Sequence, residues 1–124
     1  MKIAVPAETP NLNNPVCPSF GRTPYFVLYD TDNGKYDFLD NSAAASQGGA
    51  GIKTAQMLVD LDAKVLITHR CGENAAEVLN SADIEIFKAR AGTIQDNITG
   101  YNDGKLSVLI DIHPGLNNHG GGQD

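Results

Sequence analysis

Lys64-Val65-Leu66-Ile67-Thr68 is a nearly continuous apolar run, the pattern of a strand buried on both faces within a parallel sheet. Gly72 breaks the run, and Ala75, Ala76, Leu79 and Ala82 then recur at helical spacing. Ile84, Ile86 and Phe87 form another core strand. On the other side of the run, Ile52, Ala55, Leu58, Val59 and Leu61 also recur at the spacing of an amphipathic helix. Helices alternating with strands imply right-handed crossovers and a largely parallel sheet covered by helices.

Farther out, Ile3-Ala4-Val5, closed by Pro6, predicts a first strand. Ala7 to Ser19 is rich in Pro and Asn and predicts a long ordered loop, a kind of segment that often carries function. Tyr25–Asp30 and Lys35–Leu39 read as an antiparallel hairpin, with Asn33-Gly34 supplying the positive φ angles of a tight turn. Asn41 to Gly51 is small and Gly-rich, a flexible lead-in to the helix beginning at Ile52. Thr93-Ile94-Gln95-Asp96 starts a third helix with a capping-box pattern, followed by Ile98 and Tyr101 on one face. Leu106, Val108, Ile110 and Ile112 alternate like a strand. The expected organisation is a single α/β domain over residues 1–112, built on a mixed sheet, with a flexible Gly/Asn/His tail over 113–124 that includes His113 and His119.

A length of 124 residues suits one domain. The net charge of −6, with Lys and Arg scattered along the chain, argues against nucleic acid, because phosphate contacts need clustered cations. No apolar stretch approaches the roughly 20 residues of a membrane helix, and the first residues lack the apolar core of a signal peptide. The expected compartment is the cytoplasm. In that reducing setting Cys17 and Cys71 are free thiols or metal ligands rather than a structural disulfide.

Several motifs bear on chemistry. Gly49-Ala50-Gly51-Ile52-Lys53-Thr54 resembles a phosphate loop, but Ile52 separates the glycine from the lysine, and a helix lead-in explains the glycines. Asp30, Asp32, Asp37 and Asp40 lie on or near the hairpin and read as a solvated edge rather than a hydrolytic metal site. Phe20-Gly21-Arg22 leads straight into the second strand. It is either a turn with a surface arginine or an anion clamp, with Gly21 allowing close backbone approach and Arg22 offering a planar fork of donors. His69-Arg70-Cys71-Gly72 follows the central strand and opens a helix, where open α/β sheets bind ligands. A thiol at a helix N-terminus is expected to have a lowered pKa, favouring the thiolate that soft metals prefer. If the first and central strands are parallel neighbours, Cys17, Cys71, His69 and Arg22 converge. The helix starts at Gly72 and Gly92-Thr93 would add amide donors for an anion. No Cys-x-x-Cys is present, so a structural zinc site is not indicated.

Ile3-Ala4-Val5-Pro6, Ser19-Phe20-Gly21-Arg22-Thr23-Pro24-Tyr25-Phe26-Val27-Leu28-Tyr29-Asp30, Gly49-Ala50-Gly51-Ile52-Lys53-Thr54-Ala55 and Gly92-Thr93-Ile94, in that order and spacing, resemble the dinitrogenase iron–molybdenum cofactor biosynthesis family over residues 1–106. The Phe-Gly-Arg-x-Pro-Tyr-Phe block is the most specific part. The resemblance implies a ribonuclease-H-like fold with a mixed five-stranded sheet. It also implies binding or delivery of an iron–molybdenum or related metal–sulfur cofactor. The family often has His before Phe-Gly-Arg, where this chain has Ser19. Many members have a glycine-rich turn where this chain has Arg70-Cys71-Gly72. The resulting expectation is a non-enzymatic carrier of an anionic metal–sulfur cofactor. Phe20, Gly21, Arg22, Gly72 and Cys17 would bind the cofactor, and Cys17, Cys71 and His69 would ligate metal. Its partner would be a cofactor-donor or recipient protein, with no role for nucleic acid or membrane. The alternative is a metal-free regulatory or protein-interaction domain.

Overall fold

The structure, a computed structural model, describes residues 1–109. The expected strand residues Ile110 and Ile112 and the expected tail 113–124, with His113 and His119, lie outside the described residues. Five strands, β1 (Lys2–Ala7), β2 (Tyr25–Asp30), β3 (Tyr36–Asp40), β4 (Ala63–Thr68) and β5 (Glu85–Lys88), form one sheet. Their order is β3-β2-β1-β4-β5. β4 runs parallel to both β1 and β5, whereas β2 is antiparallel to β1 and β3. The helices are α1 (Ala50–Asp60), α2 (Glu73–Ser81) and α3 (Ile94–Asn102). The mixed five-stranded α/β architecture expected from the sequence is therefore present.

Alternation along the strands divides the core in two. Ala4, Phe26, Leu28 and Leu66 face Leu58 of α1 and Ala76 and Leu79 of α2. Ile3, Val5, Val27, Val65 and Ile67 face Ile94 and Ile98 of α3. Each large side chain buried in these layers contributes about 1.5–3 kcal/mol. The doubly buried run that begins at Lys64 serves both cores, as its pattern predicts.

The layout creates a topological switch. After β1 the chain turns towards β2 and β3; after β4 it turns the other way, through α2 to β5. The loops following β1 and β4 leave the same edge of the sheet and diverge, opening a crevice between them.

Three local expectations need correction. The hairpin connection is longer than a two-residue turn. Only Gly34, at φ +72°, takes a positive φ there, and the strand begins at Tyr36. Asp30 and Asn33 side chains accept from the backbone amides of Asp32 and Lys35 and so build the loop themselves. The segment Asn41–Gly51 is not merely a flexible lead-in. It holds a short 3-10 turn, Ser42–Ala45, and α1 starts at Ala50, two residues before Ile52. Finally, the alternating stretch after Leu106 makes only an isolated antiparallel bridge, Val108 to Phe87, among the described residues.

Candidate functional site

A cavity of about 690 Å³ opens at the β1/β4 switch. Three segments wall it: the loop 18–22 after β1, residues 49–52 at the start of α1, and residues 70–75 at the start of α2. Buried polar contacts hold these walls in place. Thr23, fully buried, donates its hydroxyl to Ala7 O at 3.0 Å, fixing the loop to the end of β1. Asn41, also buried, donates through Nδ2 to Thr23 O at 2.9 Å and to Gly21 O at 3.2 Å. Thr54 of α1 donates to the same Gly21 carbonyl at 3.0 Å and lies 3.1 Å from Asn41 Nδ2. The loop and the helix are thus locked through direct hydrogen bonds.

Backbone contact is equally close. A Cβ on Gly21 would stand 2.9 Å from both Cα and N of Gly51. The absence of a side chain at position 21 therefore serves the packing of the loop on α1. The sequence leaves it as either a turn glycine or a point of close approach for a ligand.

The helix starts distinguish this cavity from the rest of the surface. The N-caps of α1 and α2 are Gly49 and Gly72, and neither makes a side-chain cap hydrogen bond. Their first turns, Ala50-Gly51-Ile52 and Glu73-Asn74-Ala75, all line the cavity. Among the described residues, no acceptor outside the helices meets these amides. Two sets of unsatisfied N–H groups, each with about half a positive charge, therefore converge. α3 is different, and it overturns the expected contribution of Gly92-Thr93. Its capping box is complete, with Thr93 Oγ1 accepting from Asp96 N and Asp96 accepting from Thr93 N. Ile94 N and Gln95 N donate to Asn14 O and Leu12 O in the long loop. That end is plugged by the protein itself.

Arg22 and Arg70 add positive charge to the lining, partly offset by Glu73. Arg22 Nη1 donates to Ala44 O at 2.7 Å and to Ser46 O at 2.9 Å, so it also straps down the turn before α1. Neither sequence reading of Arg22 included this strap. Cys71 lines the cavity yet is only 1% exposed. Burial pushes its thiol up to about 11. This runs opposite to the expected lowering, because desolvation disfavours the thiolate.

Phe20, Gly21, Arg22, Cys71 and Gly72 are therefore brought together in one cavity wall. Cys17 is buried at the same sheet edge, its amide donating to Pro6 O at 3.0 Å, but it does not line the cavity. His69 does not line it either. Burial and, secondly, the Lys88 ammonium hold its imidazole below the ordinary pKa. Both cysteines are free thiols. Among the described residues, no three His, Cys, Asp or Glu side chains gather to hold a metal ion. The expected ligand set of Cys17, Cys71 and His69 is thus not assembled as one cluster.

Sequence reasoning missed Asn41, Thr54 and Gly51. Thr54 carried a usable signal, since it stands on the buried face of an otherwise apolar helical pattern. Asn41 carried none, because its partners lie at Gly21, Thr23 and Thr54.

Comparison with known proteins finds relatives of this chain and of its fold. The family described as dinitrogenase iron-molybdenum cofactor matches residues 1–104. The apo form of the orange protein from Desulfovibrio gigas is 32% identical, with a TM-score of 0.83 over 88% of this chain and 92% of that one. The solution structure of a candidate NifB protein from Thermotoga is 31% identical, with a TM-score of 0.79 over 92% and 97%. An uncharacterized protein of Methanocaldococcus jannaschii is 28% identical over 86% of this chain and 89% of its own length. The chain belongs to the dinitrogenase iron-molybdenum cofactor family.

Proposed function

We propose that this chain binds an anionic metal–sulfur cofactor of the iron–molybdenum type as cargo, and carries it during cofactor assembly or delivery. The observation that carries this reading is the convergence of two uncapped helix starts and two arginines on one cavity at the sheet's switch point. Fixed N–H groups in a sheltered site stabilise a polyanion without further ordering, and hydrogen bonds to charged groups are worth about 1.5–3 kcal/mol each. Phe20 supplies an apolar wall, and Cys71 presents a protonated thiol to the cargo. The role is binding rather than turnover, and it belongs in the cytoplasm with a donor or recipient protein as partner. The strand order β3-β2-β1-β4-β5 supports placing the fold in the ribonuclease-H-like class, without implying nuclease chemistry.

The test is anaerobic titration of the full chain with tetrathiomolybdate, a simple anionic molybdenum–sulfur probe. Gel filtration and metal counting follow. Molybdenum retained by the protein, and lost on Arg22→Ala/Arg70→Ala, is the expected result. Failure to retain it would leave the metal-free regulatory role in its place.

A further inference from the structure

Three cationic residues and a histidine, from two separate stretches of sequence, are carried on neighbouring backbones where β4 and β5 end. Thr68 pairs with Lys88 across β4 and β5, and Ala89 N donates to Thr68 O at 2.9 Å. The chain segments His69-Arg70 and Ala89-Arg90 therefore leave the sheet side by side. Arg70, Lys88 and Arg90 are exposed and His69 is half-buried. Ion pairs among the described residues involve only the Met1 amine, Lys64 and their aspartates. The backbones that carry the two arginines are fixed. Thr68 donates its hydroxyl to Arg70 O at 3.0 Å. Buried Asn97 both accepts from Arg90 N at 2.8 Å and donates to Arg90 O at 3.1 Å.

We infer that His69, Arg70, Lys88 and Arg90 form a docking surface for a local acidic patch on a partner protein. The chain's net charge of −6 sets the kind of partner. Charges interact over about 8 Å at physiological salt. An extended polyanion, such as a nucleic acid or an anionic membrane, would overlap the acidic remainder of the surface, whereas a compact carboxylate patch can sit on the Arg70, Lys88 and Arg90 cations and the neutral His69 imidazole, with Glu73 and Asp96 at the margins. The acidic remainder also fixes the partner's orientation by repulsion. Arg70 lines the cavity as well, so a partner seated here faces the cargo. That consequence rests on the proposed carrier role; the docking itself does not.

The test is fluorescence anisotropy of a labelled hexaglutamate peptide titrated with the unloaded full chain at low salt. Lys88→Glu/Arg90→Glu is compared with Lys2→Glu/Lys35→Glu, which makes the same charge change beside the β2–β3 hairpin. Circular dichroism checks both folds, and Lys88→Gln replaces the first variant if it fails to fold. The expected result is saturable binding, weakened about tenfold or more by the first pair and much less by the second. Absence of peptide binding, equal loss in both pairs, or an oligonucleotide or phosphatidylserine vesicle bound more tightly through the same residues would overturn the inference. Tetrathiomolybdate retention is read separately, so failure of docking and failure of the carrier role are distinguishable.

Discussion

Gly21 and Gly51 touch in one direction only. A Cβ on Gly21 would lie 2.9 Å from the Gly51 backbone, whereas a Cβ on Gly51 would meet nothing nearer than Ala75 Cβ at 3.7 Å. The loop after β1 thus leans on the first turn of α1, while the open side of that turn faces α2.

The asymmetry predicts opposite outcomes for the same substitution. Gly21→Ala forces the loop away from α1 and destabilises by about 1–3 kcal/mol. Gly51→Ala finds ordinary contact space and stabilises by about 0.4–1 kcal/mol through reduced freedom of the unfolded chain. Urea unfolding of the two variants distinguishes them by sign.

Removing one member of the buried lock leaves polar groups stranded. Asn41→Ala strips hydrogen bonds from Thr23 O, Gly21 O and Thr54, costing about 1–3 kcal/mol. Thr54→Val leaves Gly21 O with Asn41 as donor and costs less. The double variant should cost less than the sum of the two, because the residues share one network. Strict additivity in a double-mutant cycle would refute the shared lock.

Cys71 sets a pH dependence. The folded state holds its thiol protonated up to about 11, against an ordinary value of 9.0. Unfolding therefore releases the proton more readily than the native state does. The contribution is fully present below pH 9 and disappears as pH rises through 11. Relative to Cys71→Ala, the natural chain should lose stability between these limits and hold a constant difference below them. Denaturant melts at stepped pH measure the difference directly.

Arg22 is exposed, and its measured role should lie in the cavity. Arg22→Ala frees the carbonyls of Ala44 and Ser46 and should speed hydrogen exchange in the turn before α1. Its effect on global stability should stay within about 1 kcal/mol. Tetrathiomolybdate affinity should fall by about tenfold or more, as expected for loss of a charge-assisted contact. Arg22→Lys should not restore it, since an ammonium lacks the planar fork. A large drop in melting temperature with unchanged affinity would make Arg22 purely structural.

Much of the fold was legible because its signals are local. The apolar run from Lys64, the helical spacing of Leu58 and Leu79, and the Thr93/Asp96 box each act within a few residues. The cavity wall from Phe20 to Arg22 was legible through its resemblance to a family block, and Gly72 through its place after a buried strand. What escaped depends on contacts distant in sequence. Asn41 acts through partners 13 to 20 residues away. α3 is plugged by Leu12 and Asn14, which a local reading of Gly92-Thr93 does not contain. The rise in the Cys71 pKa comes from burial, and sequence position alone pointed the other way.

The two open helix starts also bear on the lifetime of the protein. On the carrier reading, cargo completes hydrogen bonds that α1 and α2 leave to solvent, so the loaded fold is the more stable one. Cargo at 100 times its dissociation constant would add about 2.7 kcal/mol. Proteases act on unfolded chains, and an unloaded molecule visits that state more often. Carrier abundance would then follow cargo supply without any change in synthesis, and degradation would act as an inventory control set by two missing caps.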